Sequence, residues 1–135
     1  MRLDRSTCTS RLVEADFGVL GTVDAEWGVH LVPVVFVVVG DRLAIPIDVV
    51  KSKSTTSLRR KANVADDPRA SLLVDHRSGD WERLWWVRAD LQASTPGDVP
   101  WREVLAESYP PYRRPESILD VMAFDIVELT GWTAS

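Results

Sequence analysis

Cysteine, histidine and lysine are scarce in this chain of 135 residues, which holds one, two and three of them. A single cysteine, Cys8, excludes a disulfide framework within the chain and a cysteine-based metal cluster. His30 and His76 have no third ligand at a suitable spacing, so no metal site is expected. Asp75 and His76 are neighbours that point to opposite faces of a strand and form no catalytic dyad by themselves. The patterns G-x-S-x-G, the P-loop, G-x-G-x-x-G and H-E-x-x-H are all missing, and with them the usual signs of a nucleophile elbow, a phosphate cradle or a zinc hydrolase. Long hydrophobic runs are absent as well. The longest, "LVPVVFVVV" at 31–39, is far too short to span a bilayer. The start, "MRLDRSTCTS", has no apolar core of an export signal. A cytoplasmic protein with no membrane partner is therefore expected. The formal net charge of −4 argues against a domain that coats nucleic acid, since such domains carry a basic surplus.

What is present reads mainly as β. "VLGTVD" at 19–24 is a short apolar run ending in turn material at 25–28. "HLVPVVFVVV" at 30–39 is dense in β-branched residues, and Gly40-Asp41 makes a tight turn into "RLAIPID" at 42–48. A continuous valine-rich run implies a strand covered on both faces, and Pro33 and Pro46 mark strand ends, edges or bulges. From Thr55 the period changes: Leu58, Ala62 and Ala65 recur at helical spacing, and "DDP" at 66–68 stops the helix. Two more strands follow at 69–76 and 83–93. A second helix then places Trp101, Val104, Leu105 and Ser108 on one face, with Asp98 as its expected cap. A last strand at 123–129 completes the order β-β-β-α-β-β-α-β. Six strands with flanking helices predict one α+β domain over 1–135, a small barrel.

Two stretches carry chemistry. "KSKSTTSLRRK" at 51–61 holds all three lysines beside a hydroxyl cluster at the start of a helix. A helix N-terminus attracts anions, and Lys51, Lys53, Ser54, Thr55 and Thr56 would add charges and donors for a phosphate. The competing reading is a plain serine or threonine cap with solvated cations, and a charged outer face is expected for most of Arg59, Arg60 and Lys61. In "DWERLWWVRAD" at 80–90, alternation puts Leu84, Trp86 and Arg88 on one strand face and Trp85, Val87 and Ala89 on the other. Either the two tryptophans fill opposite apolar layers, or one covers a flat ligand or a partner subunit. Cys8 has no activating basic context and reads as an inert thiol. With no acid–base machine in view, an enzyme of this sequence would draw its chemistry from a bound cofactor.

In order and spacing, "LGTVDAEWGVHLVPVVFVV", "DDPRASLLVDH", "RLWWVRAD" and the closing "LTGW" resemble the pyridoxamine-phosphate-oxidase-like split barrels that bind flavins. Among these, the chain is most similar to the coenzyme F420-dependent oxidoreductases of actinobacteria. The resemblance implies a six-stranded split β-barrel that forms a homodimer with two cofactors, each at the subunit interface, and a small-molecule substrate. It implies that Pro33, Val34 and Val35 line the ring system, that Lys51, Lys53, Ser54, Thr55 and Thr56 hold phosphate, and that Trp85 or Trp86 helps to form the cleft. The implied cofactor is F420, with FMN as the alternative; a non-catalytic flavin- or haem-binding protein of the same fold is the other reading. The chain departs from its relatives where "KSKSTT" replaces a common K-P-K-R-T-T, losing a rigid proline and one cation.

Overall fold

A computed structural model describes residues 1–48 and 55–135, with only the backbone described for 55–58. Chain order runs α1 (Arg5–Glu14), β1 (Phe17–Asp24), β2 (Gly28–Val35), β3 (Val37–Val39), β4 (Arg42–Asp48) and α2 (Thr55–Asp66). It continues with β5 (Arg69–His76), β6 (Trp85–Ser94), α3 (Trp101–Ser108) and β7 (Ile118–Thr133). All pairings are antiparallel, and the strands form one seven-stranded sheet in the order β2-β1-β5-β6-β7-β4-β3. The two edges of that sheet, β2 and β3, are consecutive in the chain and separated only by Phe36. One stretch of backbone thus forms both rims, and the sheet curls on itself as a split barrel.

Phe36 explains why seven strands replace the expected six. The run expected as one strand over 30–39 pairs with β1 up to Val35 and with β4 from Val37 onward. At the switch, the backbone groups of Phe36 leave both ladders and turn to one side chain. The Tyr109 hydroxyl lies 2.8 Å from the carbonyl oxygens of both Phe36 and Asp16, and it accepts the Phe36 N–H at 3.4 Å. Buried backbone groups need partners, and Tyr109 supplies them where no strand does.

Local chemistry accounts for the other elements. The β1–β2 turn is held by the Asp24 carboxylate, which accepts the N–H groups of Glu26 (2.9 Å) and Trp27 (3.1 Å), and Gly28 supplies the positive φ of 97°. Gly40, at φ 61°, closes the β3–β4 turn as its sequence predicts. Helix α1 was not expected. It is capped by Asp4, whose carboxylate accepts the Thr7 N–H at 2.8 Å, and it buries only Cys8 and Leu12. Helix α3 has Pro100 at its N-cap and no side-chain cap bond, so Asp98 does not take that role.

Two cores lie on opposite sides of the sheet. Inside the barrel, Leu20, Val34, Phe36, Leu43, Leu72 and Phe124 pack together, and α1 closes on them through Cys8 and Leu12. A Cβ on Gly131 would sit 2.7 Å from the Cys8 sulfur, so the glycine of "LTGW" is what lets α1 approach β7. Burial also pushes the Cys8 thiol up from its ordinary value, in keeping with an inert thiol. Outside, Trp101 and Leu105 of α3 cover Val35, Val37, Ala44 and Ala123. Successive valines at 34 and 35 enter different cores, as a strand covered on both faces requires. Each fully buried side chain of this size contributes roughly 1.5–3 kcal/mol. Among the described residues no helix is long and apolar enough to cross a membrane.

Replacing Tyr109 by Phe leaves the ring packed but strips the Phe36 N–H and C=O of their partner. Chemical denaturation should show a loss of about 1–3 kcal/mol. A change below roughly 0.5 kcal/mol, the ordinary range for surface substitutions, would contradict this role for Tyr109.

Candidate functional site

Helix α3 covers the outer face of the sheet at one end only. Beyond it, Val19 pairs with Pro33 on one side and Leu73 on the other, while Leu31 lies over Gly21. Phe17, Val29 and Leu31 are 70%, 62% and 66% exposed, an unusual density of bare apolar side chains on one strand pair. The face runs into a cleft of about 780 Å³ walled by Leu31, Leu73, Leu84, Trp85, Trp86 and Trp132. Asp75, His76, Arg77 and Arg88 supply its polar lining.

Alternation along β6 operates as expected. Val87 and Ala89 are buried in the barrel, and Trp85, at the strand's start, packs against the same core. Trp86 pairs in register with Trp132 of β7 and with Asp75 of β5 on the outer face. Trp85 also receives the Arg11 guanidinium 4.5 Å above its ring and stacks with the His76 imidazole at 6.2 Å. Arg77 pairs with Asp75 at 2.7 Å and Arg88 with Asp90 at 3.2 Å.

Helix α2 sits at the other end of the barrel, fastened by its own cations. Arg59 meets Asp24 at 2.5 Å, Arg60 is buried and donates to the Pro46 carbonyl at 3.3 Å, and Lys61 meets Asp120 at 2.5 Å. The expected charged outer face holds for Arg59 and Lys61, whose side chains are about half exposed, and fails for Arg60, which is buried. Each faces an acid or carbonyl that only the fold brings near. Asn63 adds a hydrogen bond from its amide to the Thr22 hydroxyl at 3.1 Å. Where β4 ends, the Tyr112 hydroxyl donates to Asp48 at 2.6 Å, and burial pushes the Tyr112 phenol well above its ordinary value.

The expected site residues thus fall into separate places. Trp85 and Trp86 wall the cleft, and Pro33 stands exposed beside it. Val34 and Val35 are buried in the two cores and turn no side chain toward it. Thr55 and Thr56 open α2, where only their backbone is described, and Lys51, Lys53 and Ser54 lie outside the described residues. Strand β7 spans the gap between the two regions: Ile118 pairs with Asp48 and Thr133 with Trp85. Its 16 residues, at about 3.3 Å each, follow a path on the order of 50 Å. Within one copy, the tryptophan cleft and the start of α2 do not meet. Sequence reasoning missed Leu31, Leu73, His76 and Trp132 as cleft residues. The signal for Leu31 was the apolar alternation of Val29, Leu31 and Pro33.

No known protein-family profile and no curated protein matches the sequence. Solved structures do match. A FAD-binding protein from Mesorhizobium loti superimposes with a TM-score of 0.66 at 14% identity, covering 97% of this chain and 93% of its own. The haem-storage protein HutZ from Vibrio cholerae gives 0.64 at 20% identity, over 96% and 94%. A candidate pyridoxamine 5'-phosphate oxidase from Corynebacterium glutamicum gives 0.60 at 13%, over 97% and 90%. The chain shares its fold with these three solved proteins, one FAD-binding, one haem-storing and one a candidate pyridoxamine 5'-phosphate oxidase.

Asp24 joins the β1–β2 turn to α2, and its carboxyl is lowered to about 2, first by the Arg59 hydrogen bond and then by the N–H groups of Trp27 and Glu26. A depressed carboxyl contributes stability in full above its ordinary value near 3.8 and loses it as pH falls through the folded value. Thermal melting should show wild type more stable than Asp24→Asn by a constant margin from about pH 7 to 5, narrowing from about pH 4 toward 2. A margin unchanged down to about pH 2 would contradict the assignment.

Proposed function

We propose that this chain is an oxidoreductase that holds a flavin-type cofactor in a cleft completed between two copies of itself. The preferred cofactor is F420, with FMN as the alternative. The observation that carries the reading is the tryptophan-walled cleft of about 780 Å³ on the bare outer face of a split barrel. Its volume lies within the usual range of small-molecule sites, roughly 300–1,000 Å³. A planar tricyclic ring suits the flat walls offered by Trp86, Trp132 and Leu31. For the phosphate, a helix start such as that of α2 carries N–H groups without intrahelical partners and the positive end of the dipole, with Lys51, Lys53 and Ser54 just before it in sequence.

Bound there, such a cofactor supplies hydride transfer to or from a small organic substrate. The chain's own part is to orient and to exclude water. Trp86, Trp132, Leu31 and Leu73 provide apolar walls, and Arg77 and Arg88 provide charge at the rim. A second copy supports the scheme in two ways. It would cover Phe17, Val29 and Leu31, and it would set its own α2 near the first copy's tryptophans, which one copy alone does not do. Arg59 and Arg60 are committed to Asp24 and β4, which leaves any basic track for an oligoglutamate tail to Lys51 and Lys53. His76 in the cleft wall favours haem as a second reading, since its imidazole would hold the iron.

Fluorescence titration of the purified protein with F420 and with FMN tests the main reading. One of them should bind with one equivalent per chain, and Trp86→Ala or the pair Lys53→Ala with Thr55→Ala should weaken it by at least about tenfold (1.4 kcal/mol). Binding of neither, or no effect of these changes, would overturn it. A Soret shift on adding haem that His76→Ala abolishes would favour the second reading instead. Sedimentation should show a dimer, and Leu31→Asp should yield monomers, because a buried unpaired charge is costly. A dimer that tolerates Leu31→Asp would move the interface elsewhere.

A further inference from the structure

A smaller cleft, about 280 Å³, lies between α1 and the start of β6. Its wall includes Arg11, His76, Glu82, Arg83, Trp85 and Thr133. His76 and Trp85 also line the large cleft, so the two adjoin. Arg11 lays its guanidinium on the Trp85 ring at 4.5 Å, which occupies a face of the cation and leaves its in-plane N–H groups for hydrogen bonds. One of these, Nε, is buried and has no hydrogen-bond partner among the described residues.

Some arginines of the chain are held by carboxylates and others are not. Arg42, Arg59, Arg69, Arg77 and Arg88 each meet a carboxylate within 3.2 Å. Arg11 and Arg83 meet none within ion-pair distance among the described residues, although Glu82 shares their cleft. Arg11 on the indole and Arg83 both line the cleft, and the terminal N–H groups of Arg11 offer a fork that matches a planar carboxylate. Such a charge-assisted bond is stronger in a partly desolvated cleft than in water.

We infer that this cleft binds a small carboxylate with a planar apolar body: Arg11 takes the carboxylate edge-on, Arg83 adds charge, and the body lies along Trp85 and His76. The volume suits a single-ring acid and is too small for a flavin. The inference stands on Arg11, Arg83 and Trp85 and does not depend on which cofactor, if any, the large cleft holds. Glu82 opposes the ligand's charge and sets a limit on its affinity.

Calorimetry on the full chain without added flavin tests it, with benzoate as the probe and benzyl alcohol as its neutral counterpart. Benzoate should bind once per chain with a Kd below about 1 mM, and benzyl alcohol should bind at least about tenfold more weakly. Arg11→Gln should weaken benzoate by about tenfold or more, Arg83→Gln by several-fold, and Glu82→Gln should tighten it by several-fold. Arg83 lies on an exposed turn, so its variant keeps the test valid should Arg11→Gln disturb α1. Benzoate should also raise the melting temperature of the wild type, through binding to the folded state, and do so less in Arg83→Gln. An absence of benzoate binding, equal binding of benzyl alcohol, or an affinity unchanged in both arginine variants would overturn the inference.

Discussion

The barrel depends on a single interruption of the ladder. At Phe36 the chain leaves one rim of the sheet and joins the other, and the residue's N–H and C=O are both taken up by the Tyr109 hydroxyl, which also reaches Asp16. Without a partner at that point, the strand would face a choice between an orphaned peptide group and a straight path. A straight path would leave β2 and β3 as a single edge and the sheet open. Because Tyr109 directly follows α3, the same contact fixes where that helix lies. It also helps determine which part of the outer face α3 covers.

That coverage divides the molecule. Where Trp101 and Leu105 lie on Val35, Val37 and Ala44, the sheet is buried on both sides. Where α3 ends, the same outward-facing positions of β1, β2 and β5 are bare, and Phe17, Val19, Leu31 and Leu73 are exposed. The far end is held differently. Asp24, Pro46 and Asp120 engage Arg59, Arg60 and Lys61, so α2 is tied to the β1–β2 turn, to β4 and to β7 by polar contacts. A helix with a fixed position is a suitable frame for an anion at its N-terminus, because the donors need no reorganisation. No described residue of α2 lines the tryptophan cleft, so the proposed site would need a second copy to join the two.

The strands of β1, β4 and β5 and the helices α2 and α3 were legible because their signals are local: β-branched runs, a change of period, and stops at "GD" and "DDP". Helix α1 was missed because only Cys8 and Leu12 face the core, too few to stand out as a pattern. The Asp4 cap and the spacing of four between those two residues were the only hints. Strand β7 was expected over 123–129 and extends over Ile118–Thr133, since its ends gain their partners from β4 and β6 rather than from any apolar run of their own. Of the cleft, Trp85 and Trp86 were found from the sequence. Leu73 and His76 were not, because nothing in their own strand marks them as neighbours of tryptophans on β6 and β7.

The sequence by itself determined the predominance of β, the two turns that need glycine, the coverage of Val34 and Val35 on both sides, and the absence of a side-chain nucleophile motif. These follow from residue type and from spacings of a few positions, where backbone geometry alone decides. Only the tertiary structure decided that Arg59, Arg60 and Lys61 serve as ties, that the long strand breaks at Phe36, and that Arg11 rests on Trp85. Each of these depends on a partner distant in sequence, and a charged or aromatic side chain carries no local mark of the partner it will meet.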